Sequence, residues 1–258
     1  MVLPNEVTIA ARTYFGSPQK PGGFPASLER VLVANLPRDF HQACQEIIGS
    51  WGADVAGTAQ WQVRLLFQQP KQVWLAFRCG SRVPDNAKYY DERLAVFRLD
   101  TASLKFFSFG SDAENDSNLY HVEFAELLPL DGHEGIAFRV ASSNDNPCCA
   151  GPEAIAEERL VVYADTPQGP REVLSVVTRR EHASHDDVDG DIQTVYRAEA
   201  RFERDARDRT TAVTLAFREE IIEFAPDAAQ PTIKRRSERA GTLRYRWNPG
   251  AVRFDEVK

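Results

Sequence analysis

Residues 192–204 read IQTVYRAEARFER, and their side chains alternate between two kinds with a period of two. The apolar or weakly polar set is Ile192, Thr194, Tyr196, Ala198, Ala200 and Phe202, and the positions between them hold mainly Arg, Glu and Gln. Because successive side chains of a β-strand point to opposite faces of the sheet, this stretch predicts a strand with one buried and one solvated face. Such a solvated face is typical of antiparallel sheets.

The same alternation recurs along most of the chain that follows. It predicts about a dozen strands with Gly, Pro, Asp or Asn between them, at 61–67, 73–79, 93–99, 104–109, 119–128, 136–141, 159–164, 171–180, 192–204, 211–224, 242–247 and 252–254. The short connections favour an antiparallel meander, since parallel crossovers need a dozen or more residues. We therefore expect a single, mainly β domain over 1–258, with antiparallel strands from 61 to 258 forming a sandwich or an open barrel. The acidic, Pro-containing stretch 225–240 reads as an exposed excursion.

The N-terminal region lacks this alternation. Residues 1–26 carry four Pro and three Gly, which predicts an irregular arm with at most a short edge strand. Residues 35–49 predict one helix packed against the sheet, with Asn35 as N-cap. Phe40 and Cys44 recur at helical spacing along it, and Gly49 is a natural end.

Composition and motifs exclude several classes of protein. The 258 residues include 31 basic and 38 acidic side chains, and this net charge of −7 argues against a general affinity for nucleic acid. No apolar run approaches the ~20 residues of a transmembrane helix. The phosphate-binding loop, the dinucleotide-binding turn and the nucleophile elbow of hydrolases are all absent from the sequence.

The four cysteines bear on the redox compartment. Cys44 lies on the apolar face of the predicted helix and Cys79 on the inward side of its strand, so they are a candidate pair or else two buried thiols. A bond between them would close a loop of about 35 residues and contribute roughly 3–4 kcal/mol. Cys148 and Cys149 are adjacent in a loop and are a candidate vicinal pair. An even count without metal-binding spacing favours a periplasmic or extracellular protein whose signal segment has been removed.

The stretch 181–191, EHASHDDVDGD, is the densest in potential metal ligands, and we expect it to be a long hairpin loop. Asp187, Asp189 and Asp191 alternate around a Gly, and carboxylate oxygens at this spacing can converge on Ca²⁺. The spacing resembles the Asp-x-Asp-Gly-Asp turns of some extracellular β-propeller repeats. The alternative is a solvated acidic hairpin tip in which Asp and Gly supply turn geometry.

The same loop contains a second candidate site. His182 and His185 are three residues apart and, with Glu181 or Asp186, could take Zn²⁺. On a loop or strand this spacing does not ensure that the two imidazoles converge, unlike the same ligands on a helix.

Two other kinds of side chain invite a functional interpretation. The side chain of Trp74 should point to the side of its strand opposite to that of Val73 and Leu75. Trp74 is therefore either an exposed platform for sugar or peptide or a core residue between two layers. Five glutamates could supply the carboxylate pair of a glycosidase, namely Glu123, Glu126, Glu134, Glu153 and Glu157. Among 38 acidic residues, however, some pairs fall at a suitable distance by chance.

These observations lead to two main hypotheses. The first is an extracytoplasmic, non-catalytic β domain that binds a protein or carbohydrate and is stabilised by calcium at 187–191. The alternative is a metal-dependent hydrolase that uses the 181–191 loop. A structural module of a larger assembly is a third reading. Calcium-dependent thermal stability distinguishes the first from the second, which requires a stoichiometric transition metal.

Overall fold

A computed structural model describes residues 5–16, 26–38, 40, 42, 59–69, 72–81, 92–100, 102–108, 118–143, 153–184, 191–225 and 232–257. Its helices and strands are α1 (Asn5–Gly16), α2 (Ala26–Ala34), β1 (Ala59–Gln69), β2 (Gln72–Ser81), β3 (Glu92–Asp100), β4 (Leu104–Ser108), β5 (Asn118–Leu130), β6 (His133–Ser143), β7 (Glu153–Thr166), β8 (Gly169–Ser184), β9 (Ile192–Arg204), β10 (Thr210–Phe224), β11 (Ile233–Asn248) and β12 (Arg253–Val257). The mainly β, antiparallel prediction is confirmed, and each of the predicted strand segments overlaps one of these strands. Over the ranges given, no helix is both long and apolar enough to cross a membrane. The chain divides into two compact units, Met1–Ala113 and Glu114–Lys258.

The N-terminal prediction needs correction. The arm predicted to be irregular contains helix α1, because Val7 is buried in a cluster with Leu28 and Leu32 of α2. Apart from Pro4, which precedes the helix, the Pro and Gly residues of the arm begin only at Gly16, where α1 ends. Asn35 does not cap a following helix. Its backbone N–H and its side-chain amide both donate to the carbonyl of Val31, so Asn35 terminates α2 instead.

The remainder of the predicted 35–49 helix is described only in part. Residues 38, 40 and 42 are helical, and the residues from 43 to 49 lie outside the described ranges. Phe40 is buried, as its apolar spacing predicts, and its ring packs edge-on against Phe106 with centroids 5.4 Å apart.

In the N-terminal unit, the helices cover one face of a four-stranded antiparallel sheet with the order β1-β2-β3-β4. The shared core includes Val7, Leu28, Leu32, Phe40, Val73, Leu75, Phe77, Phe97 and Leu99. Trp74 points from β2 to the other face and is 0% exposed. Its ring lies 5.3 Å from that of Phe107 and beneath the guanidinium of Arg98, so Trp74 is a core residue and not an exposed platform.

The C-terminal unit is an eight-stranded antiparallel meander in which every strand pairs with its neighbour in sequence. The predicted exposed excursion at 225–240 is wrong from Ile233 onward, where β11 begins. Cross-strand ion pairs between β10 and β11 hold this highly charged segment in the sheet. They include Glu219–Arg239, Glu220–Arg236 and Arg218–Glu238.

This sheet divides into two halves that pack against each other. Strand β8 pairs with β7 from Gly169 onward, but it pairs with β9 only through Arg179–Ser184 and Ile192–Arg197. One hydrophobic cluster contains side chains from both halves: Leu160, Val162 and Leu174 from β7 and β8, and Val213, Leu215 and Trp247 from β10 and β11. Strands β5–β8 and β9–β12 therefore form the two layers of an open sandwich, within the alternatives that the sequence predicts.

Candidate functional site

A cleft of about 1090 Å³ lies between the two layers of the C-terminal unit, where β8 and β9 separate. Strands β5 to β8 line one side of it, and β9 and β10 line the other. Its apolar lining includes Phe124, Leu160, Ala198, Ala200, Phe202 and Phe217. Its charged lining comprises Glu123, Glu126, Arg139, Glu158, Arg197, Glu199, Arg201, Arg204 and Arg218.

The apolar side of β9 leaves room for this cleft. Ala198 and Ala200 are small, and they lie directly opposite Phe217 and Leu215 of β10. The ring of Phe217 stacks on Tyr196 with centroids 5.7 Å apart. On β11, a Cβ at position 241 would lie 2.9 Å from that ring, so only the glycine present there lets Phe217 keep this position.

Ion pairs fix several of the charged side chains. Arg204 of β9 binds Glu126 of β5 across the cleft and also Asp208, at 2.9 Å. The hydrogen bond to Asp208, together with the two carboxylates, raises the pKa of Arg204. Along β9, Arg201 and Glu199 form a pair at 2.9 Å on the exposed face. Arg204, Glu126, Arg201 and Glu199 all line the cleft, so these contacts reduce the freedom of part of its charged lining.

Two further arginines that line the cleft, Arg139 and Arg197, are candidates to bind a ligand. No ion pair joins Arg139 or Arg197 to another residue of the described ranges. Arg139 lies opposite Glu123 in the β5–β6 register. The carboxylate of Glu158 accepts a hydrogen bond from the Thr178 hydroxyl at 3.2 Å. A guanidinium without a carboxylate partner can bind a carboxylate or phosphate of a ligand through two parallel hydrogen bonds.

The predicted metal-binding stretch is only partly a loop. Glu181 and His182 lie within β8, opposite Val195 and Thr194 of β9, because the strand pairing continues to Ser184. Glu181 is bound by Arg179 at 2.6 Å, and this hydrogen bond and the charges of Arg179 and Arg197 lower its pKa. Asp191 stands just before β9, and its carbonyl accepts a hydrogen bond from the backbone of Phe224.

Most of the predicted ligands and thiols are not described structurally. Those outside the described ranges are His185, Asp186, Asp187, Asp189, Cys44, Cys148 and Cys149. The backbone of Cys79 lies in β2, opposite Trp61 and Arg93. The calcium, zinc and disulfide assignments therefore stay predictions. Across the residues that the structure does describe, no three His, Cys, Asp or Glu side chains are grouped so that they could hold a metal ion.

Sequence reasoning missed Arg139 and Arg197, although it singled out Glu123 and Glu126 as candidate carboxylates. The structure places both glutamates in the cleft, in β5. The alternation in β9 marks Arg197 as outward-facing, but it carries no sign that β8 ends its pairing there. No family model matches the chain, and no curated protein or solved structure is significantly similar to it.

Proposed function

We propose that the protein is a non-catalytic, extracytoplasmic binding domain whose C-terminal unit takes up its ligand in the interlayer cleft. The observation that carries this proposal is the lining of the cleft. It combines apolar side chains with two guanidinium groups, those of Arg139 and Arg197, that have no ion-pair partner in the described ranges. Binding sites typically combine concave apolar surface with a few convergent polar groups. The extracytoplasmic location rests on the even number of cysteines, and a calcium ion at 187–191 is part of the proposal as a stabilising ion.

The lining indicates what kind of ligand fits. Leu160, Ala200 and Phe202 offer apolar contacts, while Arg139 and Arg197 offer donors to an acidic group. Glutamates on both sides of the cleft add acceptors for basic or hydroxyl groups. A ligand with apolar groups and charges of both signs therefore complements the cleft better than a purely apolar one.

A thermal-stability screen of the full chain tests the proposal. A panel of charged peptides, oligosaccharides and long-chain carboxylates at millimolar concentration should include compounds that raise the Tm, because a ligand of the folded state stabilises it by mass action. The Arg139→Gln/Arg197→Gln variant should lose the shifts produced by acidic ligands. An Arg171→Gln/Arg207→Gln variant is the matched control, since both arginines are exposed and neither lines the cleft.

The result that would overturn the proposal is a panel without any stabilising compound. Shifts that persist unchanged in the Arg139→Gln/Arg197→Gln variant would count equally against the cleft. The control variant separates a local effect from the general effect of removing two positive charges, because both double variants change the net charge by the same amount.

A further inference from the structure

Along the cleft, one edge of strand β9 has no partner strand in the part of the chain that the structure describes. Its residues 192–197 pair with β8, but within the described ranges residues 198–204 pair only with β10. The cleft runs along this second segment, whose residues from Ala198 to Phe202 and also Arg204 line it. Seven residues of strand present an edge of about 20 Å at a rise of roughly 3.3 Å per residue. Such an edge offers a row of backbone donors and acceptors to another strand.

We infer that this edge of β9 binds an extended polypeptide segment, which adds to the sheet as a strand beside residues 198–204. The inference rests on the proposed function, since it names the class of ligand for the same cleft. Strand addition takes affinity from main-chain hydrogen bonds and specificity from the side chains that alternate along the edge. A polypeptide is also the class of ligand that combines apolar groups, both signs of charge and a hydrogen-bonding backbone.

The side chains of β9 determine which segment fits. Ala198, Ala200 and Phe202 face the hydrophobic cluster, so the added strand should place apolar side chains beside them. The opposite face presents Glu199, Arg201 and Glu203 in order. Because side chains directly across an antiparallel pair point to the same face, the added strand should carry a basic, an acidic and a basic residue there.

Two of the three charged side chains, Glu199 and Arg201, are widely exposed to such a segment, whereas the carboxylate of Glu203 also accepts hydrogen bonds from Arg244 of β11 and from Thr214. The side chains of Arg201 and Glu199 are 73% and 67% exposed, and they contact each other on the solvent face. Charged residues on an edge strand also prevent indiscriminate pairing. Selectivity should therefore depend on the order of charges in the added strand, which is what the experiment varies.

Fluorescence anisotropy with labelled peptides and the full chain tests the inference. The capped heptapeptide VKVEVKV matches the charge order of β9 in either strand direction, because it is palindromic, and VEVKVEV is its charge-reversed control. We expect VKVEVKV to bind about tenfold more tightly than the control, from two to three matched cross-strand pairs. Equal affinities for the two peptides would overturn the inference.

A charge-swapped protein provides the reciprocal test. The variant Glu199→Arg/Arg201→Glu keeps the net charge and the ion pair along β9, so the fold should be unaffected. It should prefer VEVKVEV over VKVEVKV, by less than the unmodified chain prefers VKVEVKV, because positions 199 and 201 then match VEVKVEV while the unchanged Glu203 still matches VKVEVKV. A preference that does not change would show that the peptides bind elsewhere, and it would overturn the inference.

The backbone contribution is tested separately. Two forms of VKVEVKV, methylated on the backbone nitrogens of the Val residues or of the charged residues, block opposite edges of the peptide strand. We expect at least one of them to lose binding about tenfold or more, since a pairing edge loses its donors. Unimpaired binding of both forms would overturn strand addition.

Failure of this inference is distinguishable from failure of the proposed function. If neither heptapeptide binds while another compound of the panel raises the Tm through Arg139 and Arg197, the cleft is a binding site but not for an added strand. If sedimentation shows a dimer that binds neither peptide, a second copy of the chain covers the edge, and the inference is equally overturned.

Discussion

Truncation of Leu215 tests whether the two layers of the C-terminal unit share one core. Leu215 lies in β10, is 1% exposed and faces Ala200 and Leu243 on the neighbouring strands. In Leu215→Ala the side chain of Ala200 is too small to fill the space that is lost. Leu→Ala changes in cores cost about 2–5 kcal/mol, and we expect about 3 kcal/mol here. Because the cluster includes Leu160 and Val162 of β7, this loss should loosen both layers.

Hydrogen exchange followed by mass spectrometry resolves the effect by segment. A loss of about 3 kcal/mol in the free energy of unfolding corresponds to amide exchange that is about 100-fold faster. We expect this increase in both layers, in β6 and β7 as well as in β10 and β11. The control Ile233→Ala truncates a side chain that is 54% exposed and should change exchange little. If only β9–β11 exchanged faster while β6 and β7 kept their protection, the layers would not share a core. The interlayer cleft would then lose its structural basis.

Three further predictions concern groups outside this core. Hydrogen bonds from the backbone and side chain of Arg209 lower the pKa of Asp205 from 3.8 to about 2. The ionised Asp205 carboxylate therefore stabilises the fold fully above pH 3.8, and this stabilisation is lost as the pH falls towards 2. Asp205→Asn should flatten the pH dependence of the Tm in that window, and an unaltered profile would contradict this. Calcium should raise the Tm reversibly in the unmodified chain but not in Asp189→Ala, and an equal rise in both would eliminate the loop site. Titration of the denatured, non-reduced protein should detect few or no free thiols, whereas four would indicate a reducing compartment.

The strands could be predicted because their signal is local. In β9, alternation of small or aromatic residues with Arg and Glu specifies both the strand and the face that is buried. The first half of β11 lacks this signal, since residues 233–240 are exposed or charged at almost every position. That segment is a strand because carboxylates of β10 lie opposite its arginines, as in the pair of Arg239 with Glu219. These partners are distant in sequence, so a short stretch of sequence does not contain them. Helix α1 was obscured by the Pro and Gly residues that follow it.

The cleft could not be predicted, since its position depends on where two neighbouring strands stop pairing. Arg139 and Arg197 look like ordinary outward-facing charges in their strands. They line a cleft only because β8 and β9 stop pairing at Arg179 and Arg197. Sequence periodicity reports which face of a strand is buried, but it does not report which strand lies beside it or for how many residues.

A bulge in β8 lies next to the point where the cleft and the edge of β9 along it begin. In the β7–β8 register, Val177 faces Arg159 and Arg179 faces Glu158, so Thr178 is the extra residue. Its hydroxyl has one proton to share between the Glu158 carbonyl, at 3.1 Å, and the Glu158 carboxylate, at 3.2 Å, so it provides a donor to a backbone acceptor at the irregularity. A bulge bends its strand and increases the local twist. Pairing with β9 begins at the next residue, Arg179, so the change of direction at Thr178 coincides with the point where β9 departs to form the second layer. The edge of β9 that we propose as a docking site for a polypeptide has no partner strand among the described residues, and it begins where β9 departs from β8 to form the second layer.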